Sequence, residues 1–206
     1  MSNTQRPQQD TILARVSQFV RKNWFSILVG IAIGFMLLVP DAKSWVLRQF
    51  MATGLFNAAI EKPTTPVSDP VPDFRLVNAA GKSFRIASLR GKVVFINFWA
   101  SWCPPCRAEF PSIEKLYQTF RDHPDVVILT INEDQHAAAA SAYMDKENFT
   151  VPFYKAVAHV PAEIYSGVLP TTVVLDKDGA LRYRHEGFAN YASESFMNQI
   201  RKLAQE

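Results

Sequence analysis

The chain has 206 residues, 48% hydrophobic and 20% charged, with a formal net charge of +3. That composition suits one globular domain with chain left over for an anchor and a linker. With only two cysteines it is not a scaffold stapled by many disulfides. The charge is unevenly spread. Residues 1–60 carry Arg6, Arg15, Arg21, Lys22, Lys43 and Arg48 against Asp10 and Asp41, while the remainder is close to neutral. A basic surface for nucleic acid is therefore not expected on the domain.

Residues 1–23 read as a cytoplasmic N-terminal segment. Trp24 to Val39 follows as sixteen residues without a charge. As a helix this run is roughly 24 Å long at 1.5 Å per residue, a little short of a hydrocarbon core, with Trp24 and Trp45 placed to extend it. The n-region is long and no A-x-A cleavage site follows, so residues 24–40 are expected to form an uncleaved transmembrane signal anchor. Arg15, Arg21 and Lys22 just before the span predict a cytoplasmic N-terminus and an exported C-terminal domain. The expected location is thus a bacterial inner membrane, with the domain on the periplasmic or other extracytoplasmic side.

Residues 41–72 read as a juxtamembrane helix and a linker. Val46, Leu47, Phe50, Met51, Leu55 and Ala58 recur near helical spacing, as in an interfacial helix or the continued end of the anchor. Pro63, Pro66, Pro70 and Pro72 then make a semi-extended spacer that has no core to bury.

From residue 73 the pattern is α/β. Phe74–Val77 and Ser83–Ile86 flank Ala80-Gly81-Lys82 as a hairpin. Lys92–Ala100 is an almost unbroken apolar run, as in a central strand covered on both faces. Pro104–Phe120 predicts a helix with Phe110, Ile113, Leu116, Tyr117 and Phe120 on one stripe. A strand over Val126–Ile131 and a helix over Ala137–Lys146 come next. Strands Thr171–Leu175 and Leu181–Arg184 bracket the turn Asp176-Lys177-Asp178-Gly179, and a helix over Ser193–Leu203 closes the chain. The expected architecture is a central mixed sheet with helices on both sides.

The two cysteines stand at the junction of the central strand and the first domain helix, as Cys103-Pro104-Pro105-Cys106. A helix N-terminus offers unpaired N–H groups and a positive dipole end, which favour a thiolate on Cys103. Proline is well tolerated in the first turn, where its missing N–H has no partner to lose. Two intervening residues leave Cys106 within disulfide reach of Cys103. His123, His136, His159 and His185 show no paired spacing, so neither a metal site nor a cofactor is expected.

The segment Phe98-Trp99-Ala100-Ser101-Trp102-Cys103-Pro104-Pro105-Cys106 resembles the active site of the thioredoxin superfamily. It is most similar to the membrane-anchored, extracytoplasmic branch represented by ResA and TlpA. Gly91-Lys92, Asn97, Ala108-Glu109-Phe110-Pro111 and Leu169-Pro170-Thr171-Thr172 fit the same branch. The resemblance covers about residues 70–204. It implies a thioredoxin fold with an N-terminal hairpin extension, preceded by the single transmembrane helix. It makes Cys103 the attacking thiol and Cys106 the resolving one. Trp102 would flank the disulfide, and Pro170 would be cis, leaving the Leu169 backbone for a substrate strand. Asn97 stands where cytoplasmic thioredoxins have a buried aspartate, and an amide moves no proton. Glu109, one helical turn beyond Cys106, is then the expected proton partner.

The resemblance implies a thiol–disulfide oxidoreductase that reduces exported client proteins, cytochrome c maturation being the family's best-known setting, with a membrane electron donor restoring the dithiol. A disulfide oxidant or isomerase is the nearest alternative, and a Cu(I)-binding chaperone module is the alternative from another class.

Overall fold

The computed structural model describes residues 7–38, 40–52, 56–60, 70–157 and 159–206. Most of the expected linker, residues 61–69, lies outside them. The chain divides into two units, residues 1–43 and 44–206.

The first unit is dominated by helix α1, Pro7–Leu38, which carries non-helical torsions at Asn23. Phe19, Trp24, Phe25, Leu28, Ile31, Ile33 and Phe35 are all exposed on it. No described helix is long and apolar enough to cross a membrane. The expected transmembrane helix over 24–40 is therefore not found as a complete span. The charge-free run is short, helix α1 ends at Leu38, and Pro40 opens α2, Pro40–Ala52.

The second unit holds a seven-stranded mixed sheet. Its strands are β1 Arg75–Val77, β2 Ser83–Arg85, β3 Val93–Trp99, β4 Val126–Asn132, β5 Phe153–Ala156, β6 Thr171–Leu175 and β7 Leu181–Glu186. The order across the sheet is β2-β1-β5-β4-β3-β6-β7. β3, β4 and β5 are parallel, and the outer pairings are antiparallel. Three helices join this sheet: α3 Pro104–Phe120, α4 Ala137–Glu147 and α5 Glu194–Gln205.

Every residue of β3 is buried, as its almost unbroken apolar run predicts, the polar Asn97 included. Val93, Phe95 and Trp99 face a core shared with α3, α4 and α5. Val94, Ile96 and Phe98 face a second core that contains Phe74, Leu76, Ile86 and Ile164. The expectation of helices on both sides is thus met unevenly. The crossovers β3-α3-β4 and β4-α4-β5 travel the same way along the sheet, and a common handedness sends both helices to one face. The other face is closed by a 3-10 helix, Ile86–Leu89, and by Val160 and Ile164 ahead of β6.

Sequence periodicity did not identify β5. Its four residues are all half-buried, so neither alternation nor a solid apolar run marks it. Residues 56–60 also join the domain. Ala58 N donates to Asn190 O at 3.1 Å, Ile60 N to Gln199 Oε1 at 2.6 Å, and the Ala58 side chain is buried.

Candidate active site

β3 delivers the chain to the site through the turn Ala100-Ser101-Trp102. Cys103 N donates to Ala100 O at 3.2 Å, and Cys103 then adopts the extended torsions of a helix N-cap. Its Sγ accepts the N–H of Cys106 at 3.3 Å, so the sulfur takes the place of a capping oxygen. Pro104 and Pro105 occupy the first helical positions. Cys103 and Cys106 form a disulfide, with Cα atoms 5.3 Å apart. Cys106 is fully buried and Cys103 is 3% exposed, while the neighbouring Trp102 is 65% exposed.

Sequence reasoning missed the residue that grips this turn. Asp134 follows β4, whose register sets Asn132 beside Trp99. Its carboxylate accepts from Ser101 N at 3.1 and 3.2 Å, from Ser101 Oγ at 3.2 Å and from Asn132 Nδ2 at 2.9 Å. Lys155 Nζ donates to the Asp134 carbonyl, and Glu133 N donates to Trp99 O at 2.8 Å. The only signal in the sequence was a polar run, Asn132-Glu133-Asp134, at the end of a buried strand.

β6 lies antiparallel to β3 with Thr171 opposite Phe98, which brings the residues just before it to the same end of the sheet as the cysteines. The Leu169–Pro170 bond is cis, Pro170 is buried and Leu169 is half-buried. Thr171 Oγ1 donates to Val168 O at 2.7 Å, and Gly187 N donates to Pro170 O at 2.8 Å. Beside this loop is a cleft of about 470 Å³ lined by Glu133, Lys155, His159, Tyr165 and Gly167 among others.

Glu109 is completely buried. Asn97 Nδ2 donates to its Oε1 at 2.7 Å, and Ala189 N donates to its Oε2 at 3.1 Å. Asn97 Nδ2 is also 2.9 Å from Thr172 Oγ1, while Asn97 Oδ1 has no partner among the described residues. Loss of hydration pushes the Glu109 carboxyl up to about 8, and the two hydrogen bonds offset only part of that rise. The carboxyl is therefore largely protonated at neutral pH. Its complete burial excludes an ordinary solvated helix glutamate.

Fold and site together make this a thioredoxin-like protein, with its one cysteine pair where that fold conducts disulfide exchange. Residues 66–200 match the Redoxin family. Over 127 residues the chain is 32% identical to the thiol–disulfide oxidoreductase ResA of Geobacillus kaustophilus, covering 61% of this chain and 72% of ResA. It is 32% identical over 117 residues to the thioredoxin-like protein YneN of Bacillus subtilis, covering 56% and 69% of the two chains. Among solved structures, a thioredoxin-family thiol:disulfide interchange protein of Chlorobium tepidum matches with a TM-score of 0.55 at 26% identity, covering 69% of this chain and 99% of that one. The chain belongs to the Redoxin family, within its ResA-like thiol–disulfide oxidoreductases.

Proposed function

We propose that the protein reduces disulfides in exported client proteins, with cytochrome c maturation as the setting, and that a membrane electron donor supplies the electrons. Attack by the Cys103 thiolate on a client disulfide forms a mixed disulfide and releases one client thiolate. Cys106 then attacks Cys103 Sγ, releases the second client thiolate and leaves the Cys103–Cys106 disulfide. Two electrons have passed to the client, and two from the donor restore the dithiol. The exposed Trp102 and the backbone of Leu169, ahead of Pro170, receive the client strand.

Glu109 is the proton partner in this scheme. When the disulfide is opened at Cys103, Cys106 leaves as a thiolate and takes the proton held by Glu109. When Cys106 is next called on to resolve a mixed disulfide, the Glu109 carboxylate takes that proton back. The observation that carries this reading is a fully buried carboxyl one helical turn beyond a fully buried Cys106, where loss of hydration raises the carboxyl's affinity for its proton. Membrane attachment is proposed through residues 24–40, on the strength of the apolar side chains that α1 leaves exposed.

The direction of electron flow is tested by equilibrating the full chain against defined thiol–disulfide buffers. A potential near the thioredoxin value of about −270 mV is expected. A value near that of a strong oxidant, about −120 mV, would instead make the protein a disulfide donor.

A further inference from the structure

Helix α3 runs through a proline. Pro111 has no N–H, so the carbonyl of Arg107, four residues earlier, loses the donor that a helix would give it. That carbonyl is served from another element. Arg48, on α2, donates to Arg107 O from Nε at 3.3 Å and from Nη2 at 3.1 Å. The same guanidinium pairs with Glu147 Oε2 at the end of α4, 3.1 Å away. One turn earlier on α2, the buried Ser44 donates from Oγ to Pro104 O at 3.1 Å. The two carbonyls gripped in this way, Pro104 and Arg107, bracket Cys106 on α3.

From these contacts we infer that the turn of α2 from Ser44 to Arg48 is a clasp on the redox turn, with Arg48 and Ser44 as positioning residues that control access to Cys103. A planar guanidinium suits this task, because two of its N–H groups converge on one carbonyl while its charge meets a carboxylate. A client or donor thiolate must reach Cys103 Sγ, yet this residue is only 3% exposed. The turn must therefore loosen before attack, and the clasp opposes that loosening. The stretch of chain that sequence alone assigns to a membrane-side helix thereby becomes part of the active site. The inference rests on exchange at Cys103 and Cys106, and the experiment separates the two claims.

The full chain is reduced with dithiothreitol at fixed pH, and the reduced protein is alkylated with iodoacetamide from pH 5 to 9. Arg48→Ala is expected to raise the reduction rate roughly fivefold, the scale of one lost hydrogen bond. The plateau alkylation rate of Cys103 rises with it, while the midpoint of its pH profile stays in place. Ser44→Ala changes both rates in the same direction and serves as the second variant should Arg48→Ala fail to fold. Arg201→Ala, half-buried on α5 against Phe120 at the far end of α3 from the cysteines, leaves both rates unchanged. Wild-type rates in the folded clasp variants overturn the clasp, and so does a shifted midpoint with an unchanged plateau, which would mean that Arg48 acts by charge alone. A wild-type disulfide that dithiothreitol cannot open would sink the exchange reading itself.

Discussion

At the scale of single residues, Glu109 has the most to explain, because burying a carboxyl is unfavourable unless it stays neutral. Its ordinary value of 4.5 applies to the unfolded chain, and the folded value is about 8. Between these limits the folded state keeps a proton that the unfolded state has released, so this group lowers stability as pH rises from 4.5 toward 8 and adds no further change above. Urea midpoints at pH 5, 6.5 and 8 are expected to fall for the wild type and to fall less for Glu109→Gln, whose amide can also donate to the unpaired Asn97 Oδ1. Equal slopes would show that Glu109 is ionised throughout. The same variant is expected to flatten the pH dependence of disulfide reduction near 8, and an unchanged profile would remove Glu109 from proton transfer. Spacing placed this residue one turn from Cys106. The length and direction of its shift came only with Asn97, Ala189 and the core around them.

At the scale of elements, helices with clear local signals were legible. Helix α5 buries Phe196, Met197, Ile200, Leu203 and Ala204 on one face, and Ser193 caps it by accepting from Phe196 N at 3.3 Å. Ser193→Ala is expected to lower stability by about 1 kcal/mol, read as a shift in urea midpoint at constant slope. No change would mean that the first turn of α5 is held by its packing alone. The strand β3 and helix α3 were equally plain, one from its solid apolar run and the other from its stripe and its prolines. Strand β5 was not, because it is short and half-buried and its pairing partners, β1 and β4, lie far from it in sequence. The residues after Ala52 were expected to continue a helical repeat, yet Asn57 instead bridges Asn190. That contact spans most of the chain and has no local signature.

At the scale of the whole molecule, the proposed membrane attachment rests on the basic flank and apolar run of the N-terminal unit, while no described helix is long and apolar enough to cross a membrane. Membrane attachment predicts that the full chain stays with the membrane pellet after carbonate extraction. Once the Cys103–Cys106 disulfide has been reduced, Cys103 should be labelled by a membrane-impermeant thiol reagent in intact spheroplasts. Extraction into the supernatant would rule out attachment, and labelling only after lysis would reverse the orientation.

The sequence by itself determined the redox pair and its setting, because strand end, turn, N-cap and first helical turn are contiguous and their chemistry depends on spacings of one to four residues. It also determined the central strand and the order of most elements, through periodicity. Only the tertiary structure decided that Glu109 is dry, with its carboxyl pushed well above the usual range, that Asp134 grips the turn before Cys103, and that Arg48 serves the carbonyl left open by Pro111. Desolvation and long-range hydrogen bonds belong to positions in space. The partners involved lie 33 residues apart for Ser101 and Asp134, 59 for Arg48 and Arg107, and 80 for Glu109 and Ala189. No local pattern encodes those distances, and it is the folded sheet that brings the partners together.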